Sequence, residues 1–259
     1  LPQPPLAERL EALYRQWHHA RFLGTDPLVL VRGQTSVADR EIAALLASCL
    51  ALGRASAIVQ AAGQVLAVLL SMGSGLADAV RSAPPGFWDR PLKGFRYRFF
   101  SGAQVAALLD TTGELLRLHG SLEGVWRDLD PGLAGWDRLR AFSSRWTATG
   151  ADLGMLFPVG GSTGAFKRLN LFLRWLVRAD DLDPGGWSCL TPAQLSMPVD
   201  THVLQWARRE GLTRRNTADR AACEQITRAL RELCPEDPLR WDFAITRQGM
   251  ADKKTLAKF

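Results

Sequence analysis

The chain is short of several things, and each shortage excludes a class of protein. Its 259 residues contain no apolar run approaching the roughly 18 to 20 uncharged residues needed to cross a bilayer. The first ten residues, LPQPPLAERL, lack a basic start followed by an apolar segment, so neither a membrane span nor a visible secretory signal is expected in this sequence, which starts with Leu rather than Met and leaves a trimmed targeting segment open. Cysteine occurs four times, at Cys49, Cys189, Cys223 and Cys234, with no CxxC pair and none of the clustering that a zinc or iron–sulfur site requires. These read as reduced thiols of a cytosolic protein. Histidine also occurs only four times, and His202 stands alone in its segment, so no metal centre is expected. There is no Gly-Lys-Ser/Thr phosphate loop, no internal repeat of solenoid period and no low-complexity tract.

Lysine is scarce as well. Of 32 cationic residues only five are Lys, against 26 Asp plus Glu, for a net charge of +6. Arginine's planar fork suits phosphate oxygens, so an Arg-dominated basic chain leans towards a polyanionic partner, although coding bias produces the same lean.

Period-two alternation is nearly absent, and helical periodicity fills most windows. Leu6, Leu10, Leu13 and Trp17 share one helical face. Ile42, Leu45, Leu46 and Cys49 share another, after Ser36 and Asp39 at the spacing of a capping box. Further helices are expected over 56–71, over 102–118 behind Ser101 and Gln104, and over 217–233 with the stripe Ile226, Leu230 and Leu233. FRYRFF at 95–100 alternates briefly, but a loop or helix start is expected there rather than a sheet. Pro, Gly and Asp punctuate 83–91, 128–136 and 179–187 as loops. The fold class is all-α: one helical unit over 1–259, divisible into lobes at 36–150 and at 1–35 with 151–259.

Two segments carry the chemistry. In FPVGGSTGAFKRLNLFLRWLVR, a turn holding Gly160, Gly161 and Gly164 feeds a helix whose stripe is Leu169, Phe172, Leu173, Leu176 and Val177. The free N–H groups of such a turn and helix start favour phosphate, and Lys167, Arg168, Arg174 and Arg178 add charge; a solvated basic helix is the plainer reading. In MPVDTHVLQWARREGL, Asp200 precedes a short helix that Gly211 closes. An N-cap aspartate is worth about 0.5–2 kcal/mol by itself and needs no catalytic explanation.

Taken together, a lysine behind a glycine hairpin and an Asp in a Pro-Val-Asp-x-His turn resemble the helix-hairpin-helix DNA glycosylase superfamily, and PVDTH is similar to the motif of the 8-oxoguanine glycosylases. The hairpin departs from that family's usual Leu-Pro-Gly-Val-Gly, and the lysine-to-Asp separation of 33 positions looks like that of the archaeal enzymes. Blocks DPLVL, DREIAALLA, FRYRF, SLEGVW, KRLNLFLRWLVR, PVDTHV and EDPLRWDFAI, in order between 26 and 249, resemble the bacterial DUF2400 family.

The glycosylase resemblance implies a two-lobed fold with the active site between the lobes. It implies Lys167 as the nucleophile on the sugar and Asp200 as its catalytic partner, with Gly160, Gly161, Ser162, Gly164, Arg168 and His202 gripping the DNA backbone. It also implies a base pocket near the C-terminus, for which Trp241, Asp242, Phe243 and Gln248 are the candidates, although packing is the commoner role for any one of nine tryptophans. Trp175 and Trp187 are alternative stacking residues, and Arg54, Arg208, Arg209, Arg214 and Arg215 are candidate phosphate contacts. The implied activity is excision of an oxidised purine, 8-oxoguanine first, through a lysine Schiff base with β-lyase strand cleavage. No cofactor is implied. The expected partner is double-stranded DNA carrying a damaged base, bound by a cytoplasmic, nucleoid-associated monomer. The alternatives are a lyase or glycosylase for another lesion, and a non-catalytic DNA-binding module.

Overall fold

The computed structural model describes residues 4–73, 75–158 and 164–256. Nearly all regular structure among them is helical. In chain order the helices are α1 (Leu6–Trp17), α2 (Leu28–Arg32), α3 (Val37–Cys49), α4 (Ala55–Leu70), α5 (Leu76–Ser82), α6 (Gly102–His119), α7 (Leu122–Arg127), α8 (Gly135–Thr147), α9 (Lys167–Val177), α10 (Thr201–Arg209), α11 (Arg220–Leu233) and α12 (Asp242–Leu256), joined by short 3-10 turns. No helix of the described residues is long and apolar enough to cross a membrane.

The helix starts follow the side-chain chemistry. Ser101 and Gln104 form a reciprocal capping box at the head of α6. Ser36 accepts from the Asp39 N–H at 3.0 Å, but the expected box is one-sided: the Asp39 carboxylate reaches instead to the Ala77 N–H at 2.9 Å and caps α5. Asp219 caps α11, which starts at Arg220 rather than at 217.

The segment expected as a loop or helix start at 95–100 is a small hairpin. Strands β1 (Arg96–Tyr97) and β2 (Phe100–Ser101) pair antiparallel, Arg96 with Ser101 and Tyr97 with Phe100. Four residues carry too little periodicity to announce a sheet; tertiary anchors decide it, with Phe100 buried and the Tyr97 hydroxyl donating to the Leu52 carbonyl at 2.7 Å.

Helix α3 is the centre of the packing. It is buried along almost its whole length and touches α2, α4, α5 and α9. Its acid Glu41, 1% exposed, accepts from the Leu122 and Glu123 N–H groups and from the Trp187 indole, at 2.7–2.8 Å. Three hydrogen bonds make a buried carboxylate tolerable, although burial still raises its pKa above the usual range. An aromatic cluster of Trp126, Phe142, Trp146, Phe172 and Trp187 lies beside it and receives the apolar stripe of α9. At the other side, α1 packs on α12 and α12 on α10. Helices α9 and α10 are thereby held from opposite flanks, and their first turns carry the candidate chemistry.

Candidate active site

Helix α9 begins abruptly. Its N-cap, Phe166, is left-handed at φ 45° with no side-chain cap, a conformation that bulky residues adopt only when their surroundings force it. The ring is buried against Trp136, and that packing holds the turn. Lys167 is the first helical residue. Its apolar neighbours Leu169, Phe172 and Leu173 face inward, whereas the Lys167 side chain retains 33% of its exposure.

Asp200 sits in extended backbone at the N-cap of α10. Its two oxygens do different things. Oδ1 accepts from the N–H groups of His202 and Val203 at 2.8 and 2.9 Å, while Oδ2 lies 3.8 Å from the Lys167 Nζ. Capping therefore fixes the carboxylate and leaves one oxygen aimed at the amine. The 32 intervening residues include a turn at 179–187, where Gly185 and Trp187 donate to the last carbonyls of α9, at Trp175 and Leu176. That closure turns the chain back towards α10.

Directly behind the pair is an acid–base network. Arg174, two turns along α9 from Lys167, donates to Asp242 at 2.6 Å and to Asp183 at 3.1 Å. Arg178 bonds Asp183, and also Asp180 and Asp237 at 2.8–3.1 Å. Arg174, Arg178 and Asp183 are fully or nearly fully buried. Asp242 is 2% exposed, and burial, reinforced by the nearby charges of Asp200 and Asp183 and opposed by Arg174, pushes its pKa up to about 6. Asp242 thus lies close enough to Asp200 to feel its charge, while its hydrogen bond goes to Arg174.

The remaining candidates divide by where they point. His202 packs on α12 at Gly249, where a Cβ would come within 2.8 Å of the His202 Cβ. Beyond it opens a cleft of about 750 Å³ whose lining includes His202, Arg208, Arg209, Arg214 and Asp252. Arg209 pairs with Asp252 at 3.0 Å, and Arg215 with Asp219; Arg208 and Arg214 have no ion-pair partner among the described residues. Gly164 bridges to Asp219, whereas Gly160, Gly161 and Ser162 lie outside the described residues.

Several expected ligand contacts are internal instead. Arg168 turns inward and donates to the carbonyls of Leu156 and Cys49 at 2.7 and 3.1 Å, so its guanidinium caps protein backbone rather than facing a phosphate. Burial lowers its pKa, and with two carbonyl acceptors its charge serves the fold. Trp241 and Phe243, each 3% exposed, are core residues: the Trp241 indole donates to Glu11 at 3.0 Å, and Phe243 meets His18 edge-on. Gln248 accepts from the Trp17 indole at 2.9 Å and donates to Asp252. These three join α12 to α1 and its neighbourhood and offer no ring face or amide to a base. Trp175 and Trp187 are likewise buried. Gly249 was missed; the signal was a glycine inside a helical stretch, and its purpose is the close approach of His202.

None of the four cysteines is an activated thiol. Burial pushes the thiols of Cys49, Cys189 and Cys223 up to about 12, and that of Cys234 to about 11. Among the described residues no group of three His, Cys, Asp or Glu side chains could hold a metal ion.

A family model matches residues 26–251, spanning the pair, the buried network and α12. The chain belongs to the DUF2400 family. That family is described as a protein of unknown function, and no curated protein or solved structure matches the chain. For this DUF2400 member the site is therefore read from its own chemistry: one partly exposed amine, one fixed carboxylate oxygen and unpaired guanidinium groups nearby.

Proposed function

We propose that the chain is a DNA glycosylase with an associated β-lyase step, built on a two-lobed helix-hairpin-helix arrangement, and that its substrate is an oxidised purine, 8-oxoguanine first. The observation that carries this reading is the approach of Lys167 Nζ to Asp200 Oδ2 at 3.8 Å, with the amine open to solvent and the other carboxylate oxygen occupied by backbone.

The roles follow from that division. A base must leave the helical stack, at a cost of a few kcal/mol, before an enzyme can reach its glycosidic bond. Asp200 Oδ2 takes a proton from the Lys167 ammonium, and the freed electron pair attacks C1′ of the deoxyribose. The bond from C1′ to the purine nitrogen breaks, and the base departs with that electron pair and picks up a proton. Opening of the C1′–O4′ bond leaves a protonated imine on Lys167. Loss of a C2′ proton then expels the 3′ phosphate, and water hydrolyses the imine to regenerate the amine. The Asp200 carboxylate also stabilises the positive charge that builds on the sugar.

The test is borohydride trapping on duplexes carrying 8-oxoguanine, uracil or an abasic site. We expect an adduct on 8-oxoguanine DNA that disappears in Lys167→Gln while DNA binding persists. An adduct on abasic DNA alone would reduce the activity to a lyase. No adduct on any duplex, from protein that still binds DNA, would replace the enzyme with a binding module.

A further inference from the structure

The hairpin at 95–101 has an unusual tip. Arg98 occupies the left-handed region at φ 54°, and the next residue, Phe99, is 69% exposed, with the Arg98 guanidinium 5.8 Å from its ring. A two-residue turn between paired strands accounts for the bend but does not require an aromatic at its apex. The base of the hairpin is firm. Phe100 is buried, Tyr97 is bonded to Leu52, and Gly53, at φ 114°, leaves the space that the Arg98 guanidinium occupies: a Cβ there would come within 2.9 Å of it.

The two chain segments that build and support the hairpin carry one sign of charge. Between Glu41 and Asp78 the only charged residue is Arg54, and between Asp89 and Asp110 the charged residues are Arg90, Lys93, Arg96 and Arg98. Arg54, Arg96 and Arg98 are exposed and have no ion-pair partner among the described residues. Charge alone would serve to keep an edge strand from pairing with another chain. A solvent-exposed ring among unneutralised guanidiniums has a different fit: the ring takes a base face and the guanidiniums take the flanking phosphates.

Its position relative to Lys167 is also fixed. Arg168, the next residue, bonds the Cys49 carbonyl at the end of α3 and lies 5.9 Å from the Phe100 ring. The hairpin and the start of α9 are neighbours across one guanidinium.

We infer that the hairpin 95–101, with Arg54, is a nucleic-acid contact surface on which Phe99 stacks against a base exposed at an interruption of the duplex. The inference extends the DNA half of the function proposed above and adds a residue which that reading does not use. A polyanion without bases, or an acidic protein, would engage the arginines but give Phe99 nothing to stack on.

The test is fluorescence anisotropy with two labelled duplexes of one sequence, fully paired or carrying a single tetrahydrofuran abasic analogue. We expect Phe99→Ala to weaken binding to the interrupted duplex about tenfold, the lower part of the range for one base–aromatic stack, and to change the paired duplex little. Phe99→Trp should retain the preference, since it keeps a stacking face. Arg54→Ala with Arg96→Ala should weaken both duplexes and reduce the salt dependence, because fewer counterions are released. Equal binding of wild type and Phe99→Ala to the interrupted duplex would overturn the inference, as would failure of wild type to bind either duplex. A Phe99-dependent preference without a borohydride adduct would keep this surface and remove the glycosylase; an adduct with Phe99→Ala binding unchanged would do the reverse.

Discussion

The two ends of α9 hold basic residues in opposite circumstances. Lys167, at the start, faces a single carboxylate oxygen at 3.8 Å and remains one-third exposed. Arg174 and Arg178, two and three turns on, are buried among Asp180, Asp183, Asp237 and Asp242 with contacts mostly near 3 Å. A buried guanidinium is tolerated only when acid partners offset its desolvation, so the far end is ringed by carboxylates and can do little but hold helices together, even with Arg174 Nη2 left without an acceptor among the described residues. The near end keeps a charged pair loose enough to change partners. One helix thus separates a partly exposed amine from a cluster of buried ion pairs.

That contrast can be broken from the buried end first. Asp183→Ala leaves Arg174 and Arg178 short of a common acceptor, and we expect a loss of about 3–5 kcal/mol in denaturant unfolding, the range for breaking a buried pair from one side. An unchanged midpoint would mean that the network is not needed for the fold. Next comes pH. Asp242 is raised from 3.8 to about 6 in the folded protein, so its protonated form is favoured there, and the stability it contributes is fully present below pH 3.8 and lost as pH rises through about 6. Asp180 is the converse. His18 and Arg178 hold it well below the usual carboxylate range despite burial, so its contribution is present above that range and lost as the solution is acidified. Unfolding curves of wild type and Asp242→Asn should therefore converge or cross between about pH 4 and pH 6. A constant difference across that interval would contradict the assignment.

The smallest effect on stability sharpens the other end. Asp200→Ala removes the cap from α10 and should cost about 0.5–2 kcal/mol, whereas Asp200→Asn keeps an oxygen for the two N–H groups and should cost much less. Both should lose borohydride trapping to a similar extent, because the proton acceptor facing Lys167 is gone in each. Retention of trapping in Asp200→Asn would reduce Asp200 to a helix cap.

How far the sequence announced these features depends on how local their causes are. The faces of α1, α3 and α9 follow from apolar spacing alone, and Ser101 with Gln104 marks the head of α6 because a capping box is contained within four residues. The hairpin at 95–101 was illegible because its anchor, Leu52, lies 45 positions away. Arg168 reads locally as a phosphate contact because nothing near it in the chain shows that the carbonyls of Cys49 and Leu156 converge on it. The resemblance points Trp241 and Gln248 to a base pocket, and their own segment cannot show otherwise, since their partners Glu11 and Trp17 lie more than 200 residues away in the chain. The motif residues Lys167 and Asp200 could be named from their own segments; that they approach each other depends on the turn at 179–187 and on α12.

The pairing of α1 with α12 has a consequence for synthesis. Glu11 and Trp17 leave the ribosome more than 200 residues ahead of Arg240, Trp241 and Gln248, which they bind. At about 5–20 residues per second, the apolar face bearing Leu10 waits on the order of ten seconds or more for its cover. Helix α1 therefore cannot be locked before α12 is made, and the nascent chain carries an uncovered apolar edge in the interval.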